Sequence, residues 1–469
     1  MIEFGTGGWR AIIGDGFTKA NVQRLSLALS RRIKRDGVEA RGLVIGYDRR
    51  FLSHEAAQWS AEVFAEEGVR VLVIDRDAPT PLVMYCVRRL ELPYGMSVTA
   101  SHNPAIYNGV KLFLSGGRDA DEGFTRELQI EANALDMENV NHAPYDEALK
   151  AGRIREINPR NDYLDGIISA VDMAKIREAN LSIVLDPMYG VSGTSLETIL
   201  LTARCDVDII HGRRDTLFGG KLPAPNVETL DALRMAVCER RADIGIATDG
   251  DADRLGIISD EGKFVHPNEI LVLLYYYLLE YKGWRGAAVR NLATTHMLDR
   301  IAEAYGEKCI ETPVGFKHIS KAMDDHGALI GGESSGGLTV RGHILGKDGI
   351  YAATLLTEML AISGEKLSSL LKRISDRFGS LYMAERDFAY KSSHYQEIQR
   401  LLTGDRFPKL SEEITSVNDL DGRKLLFRDG WMIARFSGTE PRIRIFCEMP
   451  TRARADRLCA EMQEYLGLN

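Results

Sequence analysis

The 469-residue chain is long enough for about three domains, and its 45% of hydrophobic residues excludes an intrinsically disordered protein. A formal net charge of −8 argues against a nucleic-acid-binding surface, so no nucleic-acid partner is expected. The six cysteines contain no C-x-x-C pair, which argues against a zinc site and a disulfide framework. With no signal-peptide pattern and no apolar run long enough for a bilayer, we expect a cytoplasmic protein without a membrane partner.

Apolar runs typical of buried strands alternate with stretches of helical periodicity in three successive blocks. The first block has predicted strands at 43–47, 69–74 and 94–98 and helices at 53–67 and 80–90. The second has strands at 181–185, 207–210 and 243–247 and helices at 194–201 and 227–239. The third has helices at 268–281, 294–305 and 349–362 and strands at 286–290 and 328–331. This alternation predicts three similar α/β units whose mixed or parallel sheets are covered by helices.

The C-terminal part of the chain has a different pattern. Two predicted strands, 431–435 and 442–446, precede a predicted helix at 452–466, which indicates a small α+β domain. Polar segments at 158–162 and 375–385 are predicted linkers. The predicted domains are therefore 1–158, 159–262, 263–376 and 377–469.

Three aspartates, Asp249, Asp251 and Asp253, alternate directly after the apolar strand predicted at 243–247. In an extended segment, residues two apart point the same way, so the three carboxylates would repel each other unless a cation lies among them. Oxygen ligands suit a hard divalent ion, and magnesium is the first expectation. An acidic, solvated turn is the alternative.

Two further loops carry hydroxyl and carboxylate groups. Ser101 lies in the loop 99–104 after a predicted strand and could be a nucleophile, although a simple strand-terminal turn is the better interpretation of this segment alone. The glycine-rich segment 331–337 would let the backbone approach a ligand closely, and its Glu333 and Ser335 could bond sugar hydroxyls. A flexible hairpin loop is the alternative for that segment.

A fourth loop combines positive charge with hydroxyl groups. Arg435 and Arg442 flank Ser437, Gly438 and Thr439, which together predict a phosphate-binding turn. A guanidinium group matches phosphate oxygens, and the N–H groups of a turn add further donors. A surface turn with solvated charges is the alternative interpretation.

Taken together and in this order, the motifs resemble those of the α-D-phosphohexomutase family, the phosphoglucomutases and phosphomannomutases. The resemblance covers the whole chain through segments 4–10, 99–104, 108–111, 249–254, 312–317, 332–336 and 435–442. It implies an α/β fold of three related mixed-sheet domains plus a smaller C-terminal α+β domain, arranged around one central cleft.

The resemblance also implies roles for individual residues. Ser101 would carry a phosphoryl group in the active enzyme. One Mg²⁺ ion per active site would be bound by Ser101, Asp249, Asp251 and Asp253. Contacts to the substrate are implied for Arg254, Glu333, Ser335, Arg435, Ser437, Gly438, Thr439 and Arg442.

Proton transfer is implied for a further set of residues, namely Arg10, Lys111, Lys347 and His343. Which of them is acid and which is base stays open, because each lysine could instead pair with phosphate and His343 could instead orient a neighbour. A lysine base would need a lowered pKa, which neighbouring cations such as Arg10 could supply.

The implied reaction interconverts hexose 1-phosphate and hexose 6-phosphate through a phosphoserine enzyme and a hexose 1,6-bisphosphate. Its partner would be a small-molecule sugar phosphate, with glucose 1,6-bisphosphate as activator, and the oligomeric state is left open. Glucose is favoured because Gly337 stands where the bisubstrate bacterial subgroup carries a histidine. Other departures from the family pattern, at Ser334 and at Leu345 and Gly346, keep a phosphomannomutase or a dual-specificity enzyme as the alternative. A metal-dependent sugar phosphatase is the more distant one.

Overall fold

The computed structural model describes residues 1–5, 7–135, 140–404, 406–437 and 441–468. The chain divides into two compact units. Unit 1 comprises Met1–Ile270 and Ser335–Ser368, and unit 2 comprises Leu271–Ser334 and Ser369–Asn469. In the described part of the chain, no helix has the length and apolar character that crossing a bilayer would require.

The first sheet of unit 1 is mixed. Its strands are β1 (Phe4–Gly5), β2 (Gly8–Ile12), β3 (Leu43–Tyr47), β4 (Val71–Ile74), β5 (Tyr94–Val98), β6 (Tyr107–Leu114), β7 (Arg118–Asp119) and β8 (Ile154–Ile157). They are ordered β1-β2-β6-β5-β3-β4-β8, with β7 beside β6. The pairs around β3 and β4 are parallel, whereas β5 pairs antiparallel with β6. This reversal puts the loop that contains Ser101 in the connection from β5 to β6.

Helices of the first α/β region pack on this sheet. They are α1 (Lys19–Arg35), α2 (Ser53–Glu66), α3 (Thr80–Arg89), α4 (Glu122–Ala134) and α5 (Tyr145–Lys150). Both α2 and α3 contact β3 and β5, and these two strands are buried along their whole length. Strands buried on both faces read as continuous apolar runs, which is why the sequence pattern located them.

The second sheet places the aspartates. Its strands are β9 (Ser182–Asp186), β10 (Asp206–Ile209), β11 (Ile244–Thr248), β12 (Leu255–Ser259) and β13 (Phe264–Val265). The order is β10-β9-β11-β12-β13, in which β11 is parallel to β9 and antiparallel to β12. The aspartates therefore occupy the short connection between β11 and β12. The helices of this region are α6 (Arg160–Ser169), α7 (Met173–Ala179), α8 (Gly193–Thr202) and α9 (Asp231–Arg240).

Four elements follow this sheet or complete unit 1. Helix α10 (Pro267–Glu280) comes directly after β13. The second segment of unit 1 contributes β17 (Leu338–Val340) and α13 (Gly349–Ser363), and α14 (Leu367–Phe378) begins at its end. Helix α13 packs on α7, α8 and β12, so the chain before it is held against the region of the aspartates.

Unit 2 contains a parallel sheet and an antiparallel sheet. The parallel strands β14 (Ala288–Asn291), β15 (Cys309–Thr312) and β16 (Ile330–Gly332) accompany α11 (Met297–Ala304) and α12 (Phe316–His326). The antiparallel sheet has the order β18-β22-β21-β20-β19. Its elements are β18 (Tyr382–Ala389), α15 (Tyr395–Thr403), β19 (Ser416–Asn418), β20 (Arg423–Leu426), β21 (Trp431–Phe436), β22 (Arg442–Met449) and α16 (Arg452–Tyr465). The prediction of three α/β domains followed by a smaller C-terminal α+β domain is confirmed.

The two segments predicted as linkers contain regular secondary structure. Segment 158–162 already contains the start of α6 at Arg160, and most of segment 375–385 belongs to α14 and β18. Residues of β18 alternate between more and less exposed positions, so the polar composition reflects the solvent side of an edge strand. The four domain boundaries stay predictions.

The predicted helix at 227–239 also begins later than expected, at Asp231. A turn precedes it, in which Asn226 Oδ1 accepts a hydrogen bond of 2.9 Å from the N–H of Thr229. The Thr229 hydroxyl also accepts a bond of 3.1 Å from the N–H of Asn226. Side chains of this type compete with helical hydrogen bonds, which delays the helix.

A buried charge cluster links β15 to β20 inside unit 2. Lys424 is completely buried, and its Nζ lies 2.5 Å from Glu311 Oε2 and 2.9 Å from His296 Nε2. Arg290 Nη1 donates to the same Glu311 oxygen at 2.5 Å, and Asn418 Nδ2 donates to the other oxygen at 2.8 Å. Removing one partner of such a cluster would leave uncompensated charge in the interior.

Burial sets the protonation state of His296 in this cluster. Desolvation, followed by the positive charges of Arg290 and Lys424, lowers the pKa of His296 to about 4. The imidazole is therefore neutral at pH 7, and its Nε2 accepts a hydrogen bond from Lys424.

We predict that His296 makes the stability of unit 2 decline as the pH falls from about 6.5 to about 4. In that window the unfolded chain binds a proton at His296 that the folded chain does not, so the free energy of unfolding should drop by about 2–3 kcal/mol. Urea denaturation followed by tryptophan fluorescence measures it. His296→Gln, which keeps an acceptor for Lys424, should remove this part of the pH dependence, and His326→Gln should retain it. Identical slopes in all three proteins would contradict the prediction.

Candidate active site

Ser101 lies in the loop that follows β5 and has the left-handed backbone conformation, with φ = 52°. Its N–H donates to Thr99 Oγ1 at 2.8 Å, and its Oγ donates to Asp249 Oδ2 at 2.7 Å. The side chain is almost completely buried. The serine and the first aspartate, which are 148 positions apart in the sequence, are thus direct neighbours.

The three aspartates form one compact cluster. One oxygen from each of Asp249, Asp251 and Asp253 lies within 4.8 Å of the others, and all three side chains are buried. Asp249 Oδ1 accepts hydrogen bonds of 3.0 Å from the N–H groups of Asp253 and Arg254, which fixes the turn. Burial and then the negative charges of Asp251 and Asp253 raise the pKa of Asp249 well above its usual range.

The donor set of this cluster fits a hard divalent cation. Among the described residues, none donates a hydrogen bond to Asp251 Oδ1 or to Asp253 Oδ1, although both atoms are buried. An unsatisfied carboxylate oxygen in the interior is costly, and two of them beside Asp249 are the arrangement that a bound cation would stabilise. The predicted grouping of Ser101 with the three aspartates agrees with this geometry, and the identity of the ion stays a prediction.

Gly250 permits the two loops to approach each other. A Cβ atom at position 250 would lie 2.7 Å from the carbonyl oxygen of Ser101, which is closer than side-chain carbons approach backbone oxygens. The position between Asp249 and Asp251 therefore requires a glycine.

Two lysines neutralise the cluster. Lys111 Nζ lies 2.6 Å from Asp251 Oδ2 and 2.7 Å from Asp253 Oδ2, and Lys347 Nζ lies 3.0 Å from the same Asp253 oxygen. Burial alone would lower the pKa of Lys111, but the two carboxylates outweigh it and raise the pKa. This is the opposite of the lowered lysine pKa expected from the sequence, because the carboxylates bond Nζ directly.

Two arginines add positive charge. Arg10 Nη1 donates to Asn103 Oδ1 at 2.6 Å, and Arg254 Nε lies 3.9 Å from Asp253 Oδ1. Burial and the proximity of Arg254 lower the pKa of Arg10, which shows that the two guanidinium groups share one electrostatic environment. Both are placed to offset charge on an anionic group at Ser101.

His102 is a neighbour of the Ser101 hydroxyl that is not among the residues predicted from the sequence. Its Nδ1 lies 3.4 Å from Ser101 Oγ. The charge of Arg254, then burial and the charge of Arg10, lower the pKa of His102 well below 6.5. The ring is therefore neutral. Its adjacency to Ser101 in the sequence was the available signal, but the left-handed conformation of Ser101 could not be read from it.

His343 bonds a carboxylate and lies beside an aromatic ring. Its Nε2 lies 2.6 Å from Asp348 Oδ2, and its ring lies 4.3 Å from that of Tyr351. Tyr163 donates to the same Asp348 oxygen at 2.7 Å, while Asp348 Oδ1 accepts from the first N–H groups of α13. These contacts fit the alternative in which His343 orients Asp348 and the start of α13, and its role in proton transfer stays a prediction.

The predicted sugar-binding residues lie in different units. Glu333 belongs to unit 2, where its Oε1 accepts a hydrogen bond of 3.2 Å from Asn291 Nδ2. Ser335 is the first residue of the second segment of unit 1. Their roles in substrate binding stay predictions.

The predicted phosphate-binding loop joins β21 to β22 in unit 2. Arg435 Nη2 lies 3.3 Å from Asp421 Oδ2, Arg442 Nε lies 2.8 Å from Asp387 Oδ1, and the N–H of Ser437 donates to the carbonyl of Arg442 at 2.7 Å. Both arginines are thus paired with carboxylates in this structure.

Two members of that loop, Gly438 and Thr439, lie outside the described residues. A further arginine, Arg444, stands directly opposite Arg435 in the antiparallel register of β21 and β22. The sequence reasoning missed Arg444, although its position two residues after Arg442 on a predicted strand puts both on one face.

Family models match almost the whole chain. Phosphoglucomutase/phosphomannomutase alpha/beta/alpha domains I, II and III match residues 1–139, 161–262 and 266–378, and the C-terminal domain of the same proteins matches residues 397–464. The chain belongs to the α-D-phosphohexomutase family. It is therefore a phosphohexomutase, an isomerase of sugar phosphates.

Relatives of this phosphohexomutase have different substrate names. A "Phosphoglucomutase/phosphomannomutase" of Thermococcus kodakarensis is 30% identical over 467 residues, which cover 99% of this chain and 97% of the relative. A "Probable phosphoglucosamine mutase" of Pyrococcus abyssi is 30% identical, with 98% and 97% covered. The crystal structure of a "putative phosphomannomutase" from Thermus thermophilus superposes with a TM-score of 0.84 at 29% identity, with 99% of both chains covered. The sugar is thus not fixed by similarity.

We predict that Gly250→Ala lowers mutase activity on the order of 10²-fold, because the new methyl group would push the Ser101 loop away from Asp249. Overpacking should also lower the free energy of unfolding by about 1–3 kcal/mol. Steady-state kinetics and urea denaturation measure the two effects. Gly193→Ala is the matched control, because a Cβ there meets no atom closer than 3.4 Å. Full activity of Gly250→Ala would contradict the close approach.

Removal of one carboxylate should weaken cation binding. We expect Asp251→Asn and Asp253→Asn each to raise the Kd for Mg²⁺ by at least about tenfold, equivalent to ~1.4 kcal/mol. Isothermal titration calorimetry on chelator-treated protein measures it. Asp186→Asn, at a buried aspartate that bonds His211, should leave the Kd unchanged. An unchanged Kd in both triad variants would exclude the cluster as the cation site.

Proposed function

We propose that this phosphohexomutase interconverts glucose 1-phosphate and glucose 6-phosphate, with a phosphoryl group carried by Ser101. The observation that carries the proposal is the 2.7 Å contact between Ser101 Oγ and Asp249 Oδ2 at a buried aspartate cluster. An unmodified serine can be held in a folded protein without a cluster of three carboxylates beside it. A phosphoserine, which carries about −1.5 to −2 charge, needs a cation beside it, and this cluster would hold one.

In the proposed reaction, the phosphoryl group moves from Ser101 to a hydroxyl group of the sugar phosphate. A hydroxyl oxygen of the bound sugar phosphate attacks the phosphorus atom on Ser101, and a new O–P bond forms as the Oγ–P bond breaks. Ser101 Oγ takes the bonding electron pair and a proton from a protein acid, and the hydroxyl proton of the sugar passes to a protein base. The product is hexose 1,6-bisphosphate, whose other phosphoryl group then returns to Ser101 by the reverse step.

Named residues would support this step. Mg²⁺ held by Asp249, Asp251, Asp253 and a phosphoryl oxygen on Ser101 would stabilise negative charge on the transferred group. Arg10 and Arg254 would add positive charge from the protein.

Proton transfer is assigned to the set Arg10, Lys111, Lys347 and His343. Both ammonium groups bond the carboxylate cluster that includes the partner of Ser101, which supports a role for Lys111 and Lys347 close to the reacting serine. The raised pKa of Lys111 favours an acid over a base at that position.

The preference for glucose is supported by the space around Gly337. A Cβ atom at this position would lie 2.2 Å from Cδ of Lys347, so the stem of Lys347 occupies the volume of a side chain at 337. A histidine there, as in the bisubstrate subgroup, would displace Lys347 from Asp253. The position of the Lys347 stem supports the glucose preference, because it occupies the space that the histidine of the bisubstrate subgroup would need.

The remaining assignments concern the substrate and the first phosphorylation. Arg435, Ser437, Gly438, Thr439 and Arg442 would bind the phosphate that is not being transferred, and Glu333 and Ser335 would bond sugar hydroxyls. Glucose 1,6-bisphosphate would activate the enzyme because it can donate the first phosphoryl group to Ser101.

We predict that Ser101→Ala lowers kcat by about 10³-fold or more, because no phosphoenzyme can form. The Kd for glucose 1-phosphate should stay within about threefold, since Ser101 is not required for binding the sugar. Coupled assay and calorimetry measure the two quantities. Ser60→Ala, at a buried serine of α2 whose hydroxyl donates to the carbonyl of Ala56 in the same helix, should keep full activity. Equal turnover of Ser101→Ala and wild type would rule out the phosphoserine route.

The sugar preference is tested by a parallel assay with glucose, mannose and glucosamine 1-phosphates, each primed with a trace of glucose 1,6-bisphosphate. We expect kcat/KM to be at least about tenfold higher for glucose, a difference of ~1.4 kcal/mol in transition-state binding. A higher value for another sugar would overturn the preference and leave the mutase reaction in place. Stoichiometric release of inorganic phosphate would instead indicate a phosphatase.

A further inference from the structure

The loop that carries Ser101 is wrapped around one buried arginine. Arg50 has no exposed surface, and its Nη2 donates to the carbonyl oxygens of Ser101 and Asn103 at 2.7 and 2.6 Å. Its Nη1 donates to the carbonyl oxygens of Pro104 and Tyr107 at 2.9 and 3.0 Å. Three carbonyls of the loop and that of the first residue of β6 therefore converge on a single guanidinium group.

The remaining side of Arg50 is held by charge. Its Nε lies 3.3 Å from Asp48 Oδ2, which makes an ion pair without hydrogen-bond geometry. Asp48 also accepts hydrogen bonds from Thr99 Oγ1 at 2.6 Å and from Ser53 Oγ at 2.7 Å. Because Thr99 Oγ1 in turn accepts the N–H of Ser101, the Asp48–Arg50 pair holds the serine from both sides of its backbone.

An aromatic ring restricts the guanidinium further. The Arg50 Cζ atom lies 4.8 Å from the centroid of the Phe218 ring. A cation over an aromatic face is stabilised, so the Phe218 ring adds a further contact that holds the guanidinium in place. Phe218 belongs to the same part of unit 1 as the aspartates, and a Cβ atom at Gly250 would lie in contact distance of its ring.

The backbone conformation of Ser101 connects these contacts to the direction of its hydroxyl group. A residue with a β-carbon is strained in the left-handed region, so the conformation persists only where surrounding contacts fix it. In that conformation the Ser101 carbonyl bonds Arg50 while its hydroxyl bonds Asp249. Releasing the carbonyl would let the backbone relax and would turn Oγ away from the aspartates.

We infer that Arg50 is a positioning residue for phosphoryl transfer, which sets the rate at which Ser101 accepts and donates the phosphoryl group without touching the substrate. The inference rests on the proposed role of Ser101. Lysine cannot replace Arg50, because one ammonium group cannot serve four carbonyl oxygens in a plane.

The experiment measures phosphorylation of Ser101 directly. Wild type and Arg50→Lys, both loaded with Mg²⁺, are mixed with glucose 1,6-bisphosphate and quenched, and the phosphorylated fraction is read by intact mass. We expect the phosphorylation rate constant and kcat of Arg50→Lys to fall on the order of 10²-fold, as for other misplaced reacting groups, with KM within about threefold. Arg24→Lys, at a buried arginine that bonds Asn133, should match wild type.

Each outcome decides a separate question. If wild type is phosphorylated and Arg50→Lys reacts at the same rate, the role of Arg50 is overturned and the proposed function stands. If wild type is not phosphorylated at Ser101, the proposed function fails, and the role of Arg50 fails with it.

Should Arg50→Lys not fold, Asp48→Asn takes its place, because it keeps the shape while removing the charge and one of the two acceptor oxygens that hold Arg50 and Thr99. A fall in its phosphorylation rate of about tenfold supports the inference, given that small displacements of reacting groups slow such steps. An unchanged rate overturns it.

Discussion

The structure of unit 1 depends on keeping three carboxylates together in the protein interior. Asp249, Asp251 and Asp253 offer oxygens within 4.8 Å of one another, with almost no access to water. Like charges at this distance are unstable in a medium of low dielectric constant unless positive charge lies beside them. Lys111 and Lys347 supply part of that charge from other segments of the chain, β6 and the segment before α13. The two lysines therefore both reduce the repulsion among the carboxylates and attach β6 and the segment before α13 to the cluster.

The second requirement is close approach of the serine, and backbone geometry supplies it. Gly250 has no side chain where the Ser101 carbonyl passes. Arg50 donates hydrogen bonds to the carbonyls that the left-handed turn buries. Buried carbonyls need donors, and the turn supplies one of them itself, because the N–H of Tyr107 donates to the Pro104 carbonyl at 3.0 Å. One guanidinium, through its two Nη groups, satisfies them together. The same group that completes the hydrogen bonding of the loop therefore also determines where the hydroxyl points.

The sequence predicted those features that are local in the chain. Alternation of aspartates after an apolar strand is visible within a short segment, and so are the buried strands β3, β5 and β11. Arg50 was not predictable, because Arg49 stands beside it and pairs with Asp77 instead. Asp48 is a local partner of Arg50, but the four backbone carbonyls that Arg50 binds lie 51 to 57 positions away in the sequence. The raised pKa of Lys111 could not be predicted for the same reason, because it depends on carboxylates 140 and 142 positions away in the sequence.

Buried charge alone does not mark a functional site, and the two units of this chain show what does. In unit 2, both oxygens of Glu311 are taken, one by Asn418 and the other by Arg290 and Lys424, so the cluster is complete as it stands. In unit 1, one oxygen of Asp251 and one of Asp253 have no donor among the described residues. A folded protein rarely tolerates such groups without a purpose, because each forfeits its hydration and gains nothing in return. Single buried oxygens without a donor also occur at Glu39 and Glu62, so what separates the two clusters is that the unsatisfied oxygens of unit 1 belong to neighbouring side chains of one three-carboxylate group, whereas the cluster of unit 2 is paired internally.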